Sequence, residues 1–168
     1  MWRARACCAL VYCLTLACTL PAHATGIDLA LGRSAPGPAA GRNIDDATVA
    51  FVAAFGWPGQ DLSARFQPVA TLGWVGSHHA AQGGLDEPVV VAGGGMRYRF
   101  WHRLFVSEQI VAASRRTSAL SSRFEFVTTL GIHVGPVLLM GRHISNAHLI
   151  GGGPNHGETM LLIGVRFR

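Results

Sequence analysis

The chain has 168 residues, 49% of them hydrophobic and only 14% charged, with a formal net charge of +5. This balance excludes an intrinsically disordered chain, which needs high charge and low hydrophobicity. The basic residues are scattered, without a basic helix or run, so we expect no nucleic-acid partner. The length suits one domain, or two very small ones.

Residues 1–24 have the pattern of a secretory signal peptide. A short basic start is followed by an uncharged apolar stretch over 6–20, then by Pro21 and small residues. We therefore expect cleavage before Thr25 and export of residues 25–168 as one domain. A membrane-anchoring helix and lipid attachment at Cys18 are alternatives that fit the pattern less well. Cleavage would remove all four cysteines, and with them any disulfide framework, cysteine–zinc site or thiol nucleophile.

The rest of the chain reads as β-strands. Long stretches alternate apolar and polar residues with period two, and no apolar run reaches the roughly 18 residues of a membrane-spanning helix. Eight strands are predicted, at 26–33, 46–56, 65–76, 88–99, 104–112, 121–132, 136–147 and 159–167.

The alternation sets charged residues opposite large apolar ones. Phe124 and Phe126 lie on one side of their strand, with Arg123 and Glu125 on the other. Such a pattern suits a barrel with lipid outside and a polar interior, so we predict an all-β fold, an eight-stranded antiparallel outer-membrane β-barrel. A soluble periplasmic barrel or sandwich is the alternative, because period-two alternation does not distinguish inside from outside.

An even strand number places both chain ends on the periplasmic side. The outward connections are then longer on average than the inward ones, as in outer-membrane barrels. Trp57, Phe100 and Trp101 fall at the predicted inner rim, where an aromatic girdle is expected.

The segment 141–158 holds the densest set of candidate catalytic residues. His143 and Ser145 are two apart on a predicted strand, so both side chains leave the same face. An imidazole beside a hydroxyl is the minimum for an activated serine nucleophile. Asn146, Asn155 and Glu158 add amides for an oxyanion and a carboxylate for the histidine, although turn chemistry explains Asn155 equally well.

Three segments, FEFVTTLGIHVG (124–135), RHISNA (142–147) and PNHGE (154–158), resemble the lipid A 3-O-deacylases of Gram-negative bacteria, the PagL family. The resemblance is specific in the C-terminal third and loose before it. It implies an eight-stranded outer-membrane barrel with a Ser-His-Glu triad on its lipid-facing surface. The implied reaction removes the ester-linked 3-hydroxyacyl chain at the 3-position of lipid A.

The resemblance also implies a role for each matching residue: general base His143, nucleophile Ser145, orienting acid Glu158, oxyanion donors Asn155 and the backbone N–H of His148, and supporting residue Asn146. The implied partners are lipid A or lipopolysaccharide and outer-membrane lipids, and a homodimer stays open. No cofactor is implied. No metal is expected either, because the histidines at 78–79, 143, 148 and 156 lack an acidic partner or helical spacing.

The acidic residue of the predicted triad is fixed less firmly by the sequence than His143 and Ser145 are. Strict alternation back from Phe167 turns Thr159 outward and Glu158 inward, so a bulge must re-aim Glu158 or the segment must still be loop. Glu108 and Glu125 are the other candidate acids, and Glu125 is predicted to face the lumen.

Two other functions suit the same strands. One is a non-enzymatic outer-membrane barrel for adhesion or membrane stabilisation, with 141–158 as a glycine-rich hairpin. The other is a soluble periplasmic lipid carrier. Arg115 and Arg116, in a predicted outward loop, either meet lipid A phosphates or are solvated.

Overall fold

The computed structural model describes residues 26–36, 47–56, 64–78, 85–146 and 157–167. The strands are β1 (Gly26–Pro36), β2 (Ala47–Phe55), β3 (Phe66–Val75), β4 (Val89–Arg99), β5 (Leu104–Ala113), β6 (Phe124–Val134), β7 (Val137–Ser145) and β8 (Glu158–Phe167). Every predicted limit agrees to within three residues. No helix among the described residues is long and apolar enough to cross a membrane. The predicted signal peptide lies outside the described residues.

Each strand pairs antiparallel with the next one, and β8 pairs with β1, so the sheet closes into an eight-stranded barrel. Closure leaves none of the eight described strands with an unpaired edge. The chain reverses between β6 and β7 at Gly135, whose φ of 62° favours glycine. We call the end of the barrel with this turn the inner end, and the end where β7 finishes and β8 starts the outer end. The predicted eight-stranded antiparallel fold is confirmed.

The outside of the barrel is apolar. On β8, for example, the side chains of Leu161, Ile163 and Phe167 are 60%, 59% and 52% exposed, whereas Met160 and Leu162 between them are buried. Similar exposed residues occur on β1, β3, β4, β5, β6 and β7. The apolar faces therefore point outward, which excludes the arrangement in which these faces point inward and form the core of the barrel.

The inside of the barrel is packed with apolar side chains and with charged groups that have partners. Asp28 accepts two hydrogen bonds from Arg166, at 2.8 and 2.9 Å, and forms an ion pair with Arg97 at 2.9 Å. The guanidinium of Arg97 also lies over the rings of Phe55 and Phe105, at 4.8 and 4.4 Å from their centroids. These contacts neutralise and fix charge where water is excluded.

The inner end carries exposed aromatic residues. Phe100 and Trp101, in the turn between β4 and β5, are exposed as the predicted girdle requires. Trp57, the third predicted member, lies outside the described residues.

Candidate active site on the outer face

His143 and Ser145 lie near the outer end of β7 and point away from the lumen. Along this strand Val137, Leu139 and Gly141 are exposed, while each residue between them is buried. The same alternation places both His143 and Ser145 on the exterior, half-buried among their neighbours. The predicted orientation of this pair, on the apolar side of the barrel, is confirmed.

One ring nitrogen of His143 already has a partner. Its Nδ1 lies 3.0 Å from the hydroxyl oxygen of Thr159, the residue directly opposite on β8. If Nδ1–H donates to this hydroxyl, Nε2 is left unprotonated and can act as a base. Thr159 therefore occupies the place that the orienting acid takes in a serine hydrolase triad.

Ser145 is close enough along the strand to exchange a proton with His143, but the two side chains are not hydrogen-bonded in this structure. Among the described residues no hydrogen bond links His143 to Ser145. Residues two apart on a strand have Cα atoms about 7 Å apart, a span that an imidazole and a hydroxymethyl group together cover. Such contacts are often long without substrate and tighten in its presence.

Gly157 makes room for the imidazole. A Cβ at this position would lie 2.8 Å from Cε1 and 3.0 Å from Nε2 of His143, and 2.9 Å from the carbonyl oxygen of Ile144. Its φ of 67° is also in the left-handed region that favours glycine. Its N–H donates to the carbonyl of Ala119 at 3.0 Å, which ties the start of β8 to the β5–β6 connection.

Glu158 does not contact the imidazole. The pairing of β7 with β8 is regular, with Ile144 opposite Glu158, so no bulge re-aims the carboxylate and it points into the barrel. There Glu158 is fully buried, accepts a hydrogen bond from Ser34 and lies 3.2 Å from Nε2 of His78. The expected direct contact between Glu158 and His143 is therefore replaced by the contact with Thr159.

Asn146 also points inward. It is buried, and its Nδ2 donates to the hydroxyl of Ser121 at 3.1 Å. Ala119 and Leu120 in the same connection are fully buried. The β5–β6 connection thus holds both the end of β7, through Asn146, and the start of β8, through Gly157. The predicted oxyanion donors His148 and Asn155 lie outside the described residues.

The two other candidate acids occupy different faces. Glu125 is buried inside, where its carboxylate accepts hydrogen bonds from the backbone N–H and the hydroxyl of Ser122, both at 3.0 Å. Glu108 is exposed on the outside and accepts a hydrogen bond from Thr128 at 2.9 Å. Thr128 is paired with His143 in register, so Glu108 stands two strands away, at about 10 Å between Cα atoms.

An apolar depression of about 660 Å³ runs along the outside of the barrel beside the pair. Its walls include Leu130, Leu139 and Leu161, and Gly141 and Thr159 lie at the edge nearest His143. A Cβ on Gly141 would meet no atom of the described residues within 4 Å, so this glycine leaves open space two residues before His143 on the same strand face. The depression has the lining that a hydrocarbon chain prefers.

Two remaining predictions concern ions. Within the described ranges no three His, Cys, Asp or Glu side chains converge in a way that would hold a metal ion. Arg115 forms an ion pair with Glu87, and both side chains are exposed. Arg116 is also exposed.

Comparison with known proteins finds similar solved structures but no family. No protein-family model matches the chain, and no curated protein matches it. Among solved structures, the outer membrane protein Ail of Yersinia pestis in a phospholipid bilayer nanodisc is similar, with a TM-score of 0.47 and 10% identity over 84% of this chain and 99% of that chain. The crystal structure of Ail, the attachment invasion locus protein of Yersinia pestis, gives a TM-score of 0.46 and 12% identity over 84% of this chain and 95% of that chain.

Proposed function

We propose that this protein is an outer-membrane hydrolase that removes the ester-linked 3-hydroxyacyl chain at the 3-position of lipid A. The observation that carries the proposal is the outward orientation of His143 and Ser145 on an apolar barrel surface. A soluble esterase would keep such a pair in an aqueous cleft. A pair that faces hydrocarbon suits a substrate that is itself a membrane lipid.

The dimensions of the barrel support a membrane location. Its strands are 9–11 residues long, which matches the roughly 9–11 residues of a transmembrane β-strand. Large apolar residues cover the outside, whereas soluble monomers seldom expose apolar patches of more than a few hundred Å². The catalytic pair lies toward the outer end, where the outer leaflet holds lipid A.

The chemistry is acyl transfer through a covalent intermediate. Oγ of Ser145 attacks the ester carbonyl carbon while Nε2 of His143 takes the hydroxyl proton. The tetrahedral intermediate then collapses, the bond to the sugar oxygen breaks, and His143 returns the proton to that oxygen. Water next attacks the acyl-enzyme with His143 again as base, which releases the 3-hydroxy fatty acid and restores Ser145.

Two groups of residues assist this reaction in the proposal. Thr159 orients the imidazole through Nδ1, and Gly157 leaves space beneath the ring. The resemblance to the deacylase family assigns the oxyanion to Asn155 and the backbone N–H of His148, and each such donor contributes roughly 10²–10³ in rate in other hydrolases. The acyl chain would lie in the depression beside Gly141.

Mass spectrometry of lipid A tests the proposal. The protein is purified in detergent and mixed with lipopolysaccharide, which avoids any restriction of activity in intact membranes. Wild type should remove one 3-hydroxyacyl chain, Ser145→Ala should remove none, and Ser107→Ala, which changes a serine inside the barrel, should act like wild type. An unchanged lipid A mass with folded wild-type protein would favour the non-enzymatic barrel. Recovery of the protein from the soluble periplasm would favour the lipid carrier.

A further inference from the structure

A buried polar cluster lies inside the barrel directly behind the catalytic residues. It consists of Ser34 on β1, His78 in the segment after β3, and Glu158 at the start of β8, and we call it the inner cluster. Ser34 donates to one oxygen of the Glu158 carboxylate, and Nε2 of His78 lies 3.2 Å from the other. All three side chains are almost completely buried.

The geometry of the cluster sets an imidazole against the carboxylate. Nδ1 of His78 lies 3.4 Å from the carbonyl oxygen of Gly76, and Nε2 faces the carboxylate. Both of these neighbours are acceptors, so a ring nitrogen of His78 that carries a proton can donate to one of them. The backbone of His78 is fixed in turn by two hydrogen bonds with Leu85, both at 2.9 Å. A buried carboxylate without such partners would be strongly disfavoured.

The inner cluster is connected to the catalytic histidine through one residue. Glu158 stands between Gly157, which underlies the ring of His143, and Thr159, which contacts its Nδ1. Neighbouring side chains on a strand point to opposite faces, so holding Glu158 inside holds Thr159 outside. A slip of one residue would exchange them and remove the contact with the imidazole.

We propose that Ser34 and His78 are positioning residues for the hydrolysis: by fixing Glu158 inside the barrel, they hold Gly157 and Thr159 against His143. The inference rests on the proposed function, and it gives Glu158 an indirect role in place of the direct one implied by the family resemblance. It also gives His78, which follows β3 and is far from β7 in the sequence, a part in positioning His143.

Four variants test this proposal: His78→Ala, His78→Gln, Ser34→Ala and the control Ser107→Ala, which alters a buried serine elsewhere in the barrel. Folding is checked by the mobility difference between heated and unheated samples on a denaturing gel. His78→Ala should lower kcat by about 10²-fold with little change in KM, as displacement of a reacting group does. His78→Gln should recover part of this loss, since its amide can donate to Glu158, and Ser107→Ala should match wild type. If His78→Ala does not fold, Ser34→Ala and His78→Gln carry the test.

A second readout does not depend on activity. In protein labelled with ¹⁵N-histidine, the Nδ1 resonance of His143, assigned by its loss in His143→Gln, should shift in the variants of Ser34 and His78 but not in Ser107→Ala. A wild-type kcat in folded His78→Ala, or an unmoved His143 resonance, would overturn the positioning role. Wild-type protein that leaves lipid A intact would instead overturn the proposed function, while the resonance would still decide whether the cluster positions His143.

Discussion

The two faces of the β7–β8 pair treat polar side chains differently. On the inner face Glu158 and Arg142 are buried, and each has a fixed contact, Glu158 with Ser34 and His78 and Arg142 with Thr129. On the outer face His143 and Ser145 are half-buried, and the ring of His143 contacts a neutral hydroxyl, that of Thr159. Inside, polar groups have partners within the barrel, whereas outside they lie on the apolar surface, where the proposed function has them react with a lipid.

The largest effect should follow from the outer face. His143→Gln removes the base but not a buried contact, so we expect kcat to fall by about 10³-fold while the midpoint of thermal unfolding stays close to that of wild type. Lipid A hydrolysis and thermal unfolding in detergent measure the two quantities. A large loss of stability in this variant would mean that His143 belongs to the structural set, and the contrast between the faces would fail.

The inner face should show the reverse behaviour. Asp28→Asn leaves Arg97 and Arg166 without their counter-charge, and breaking a buried ion pair in this way costs about 3–5 kcal/mol of unfolding free energy. The fraction that folds should hydrolyse lipid A at the wild-type rate. Urea unfolding in detergent gives the free energy, and rates normalised to folded protein give the activity. A fully stable Asp28→Asn barrel would contradict this assignment.

Substitution of Gly157 tests whether His143 needs the open space beside its ring. Gly157→Ala places a methyl group against the imidazole and strains a left-handed backbone, so we expect kcat to fall by about 10²-fold. Gly135→Ala, in the turn between β6 and β7, is the matched control, because its backbone is left-handed like that of Gly157 but a Cβ there meets no described atom within 4 Å. Equal rates for the two variants would show that the space beneath His143 is not needed.

The smallest effect concerns the choice of orienting group. Thr159→Val removes the hydroxyl at nearly constant shape, and loss of one hydrogen bond of about 1.4 kcal/mol corresponds to a tenfold lower kcat. Glu108→Gln should change kcat less, because Glu108 contacts Thr128 and not His143. The kcat values of the two variants show whether Thr159 or Glu108 orients His143. A larger loss of kcat in Glu108→Gln would assign the orienting role to Glu108 on β5.

Much of the fold follows from local pattern. Alternation along residues such as Leu161 to Phe167 is enough to place each strand, and it also turns Thr159 outward and Glu158 inward, as observed. Pattern alone could not decide which face meets solvent, because period two is symmetric about the sheet. Strand closure resolves this by enclosing Glu125, Arg142 and Arg166.

The candidate site was predictable only in part. His143 and Ser145 follow from strand spacing, since two residues on one strand share a face without help from the rest of the chain. The inner cluster could not be predicted from strand spacing. Its residues Ser34, His78 and Glu158 are far apart in sequence and meet only in the closed barrel, where β8 pairs with β1. The same holds for Gly157, whose need to be glycine arises from an imidazole on the neighbouring strand.

One measurement tests the central claim, a reactive Ser145 that faces lipid, most directly. A fluorescent fluorophosphonate is added to the barrel reconstituted in bilayers, where it bonds to the serine oxygen with loss of fluoride. Quenching is then compared between nitroxide-labelled lipid and aqueous iodide. We expect labelling of wild type and not of Ser145→Ala, with stronger quenching by the lipid nitroxide. Absence of labelling in the folded barrel, or a label that only iodide reaches, would contradict the account.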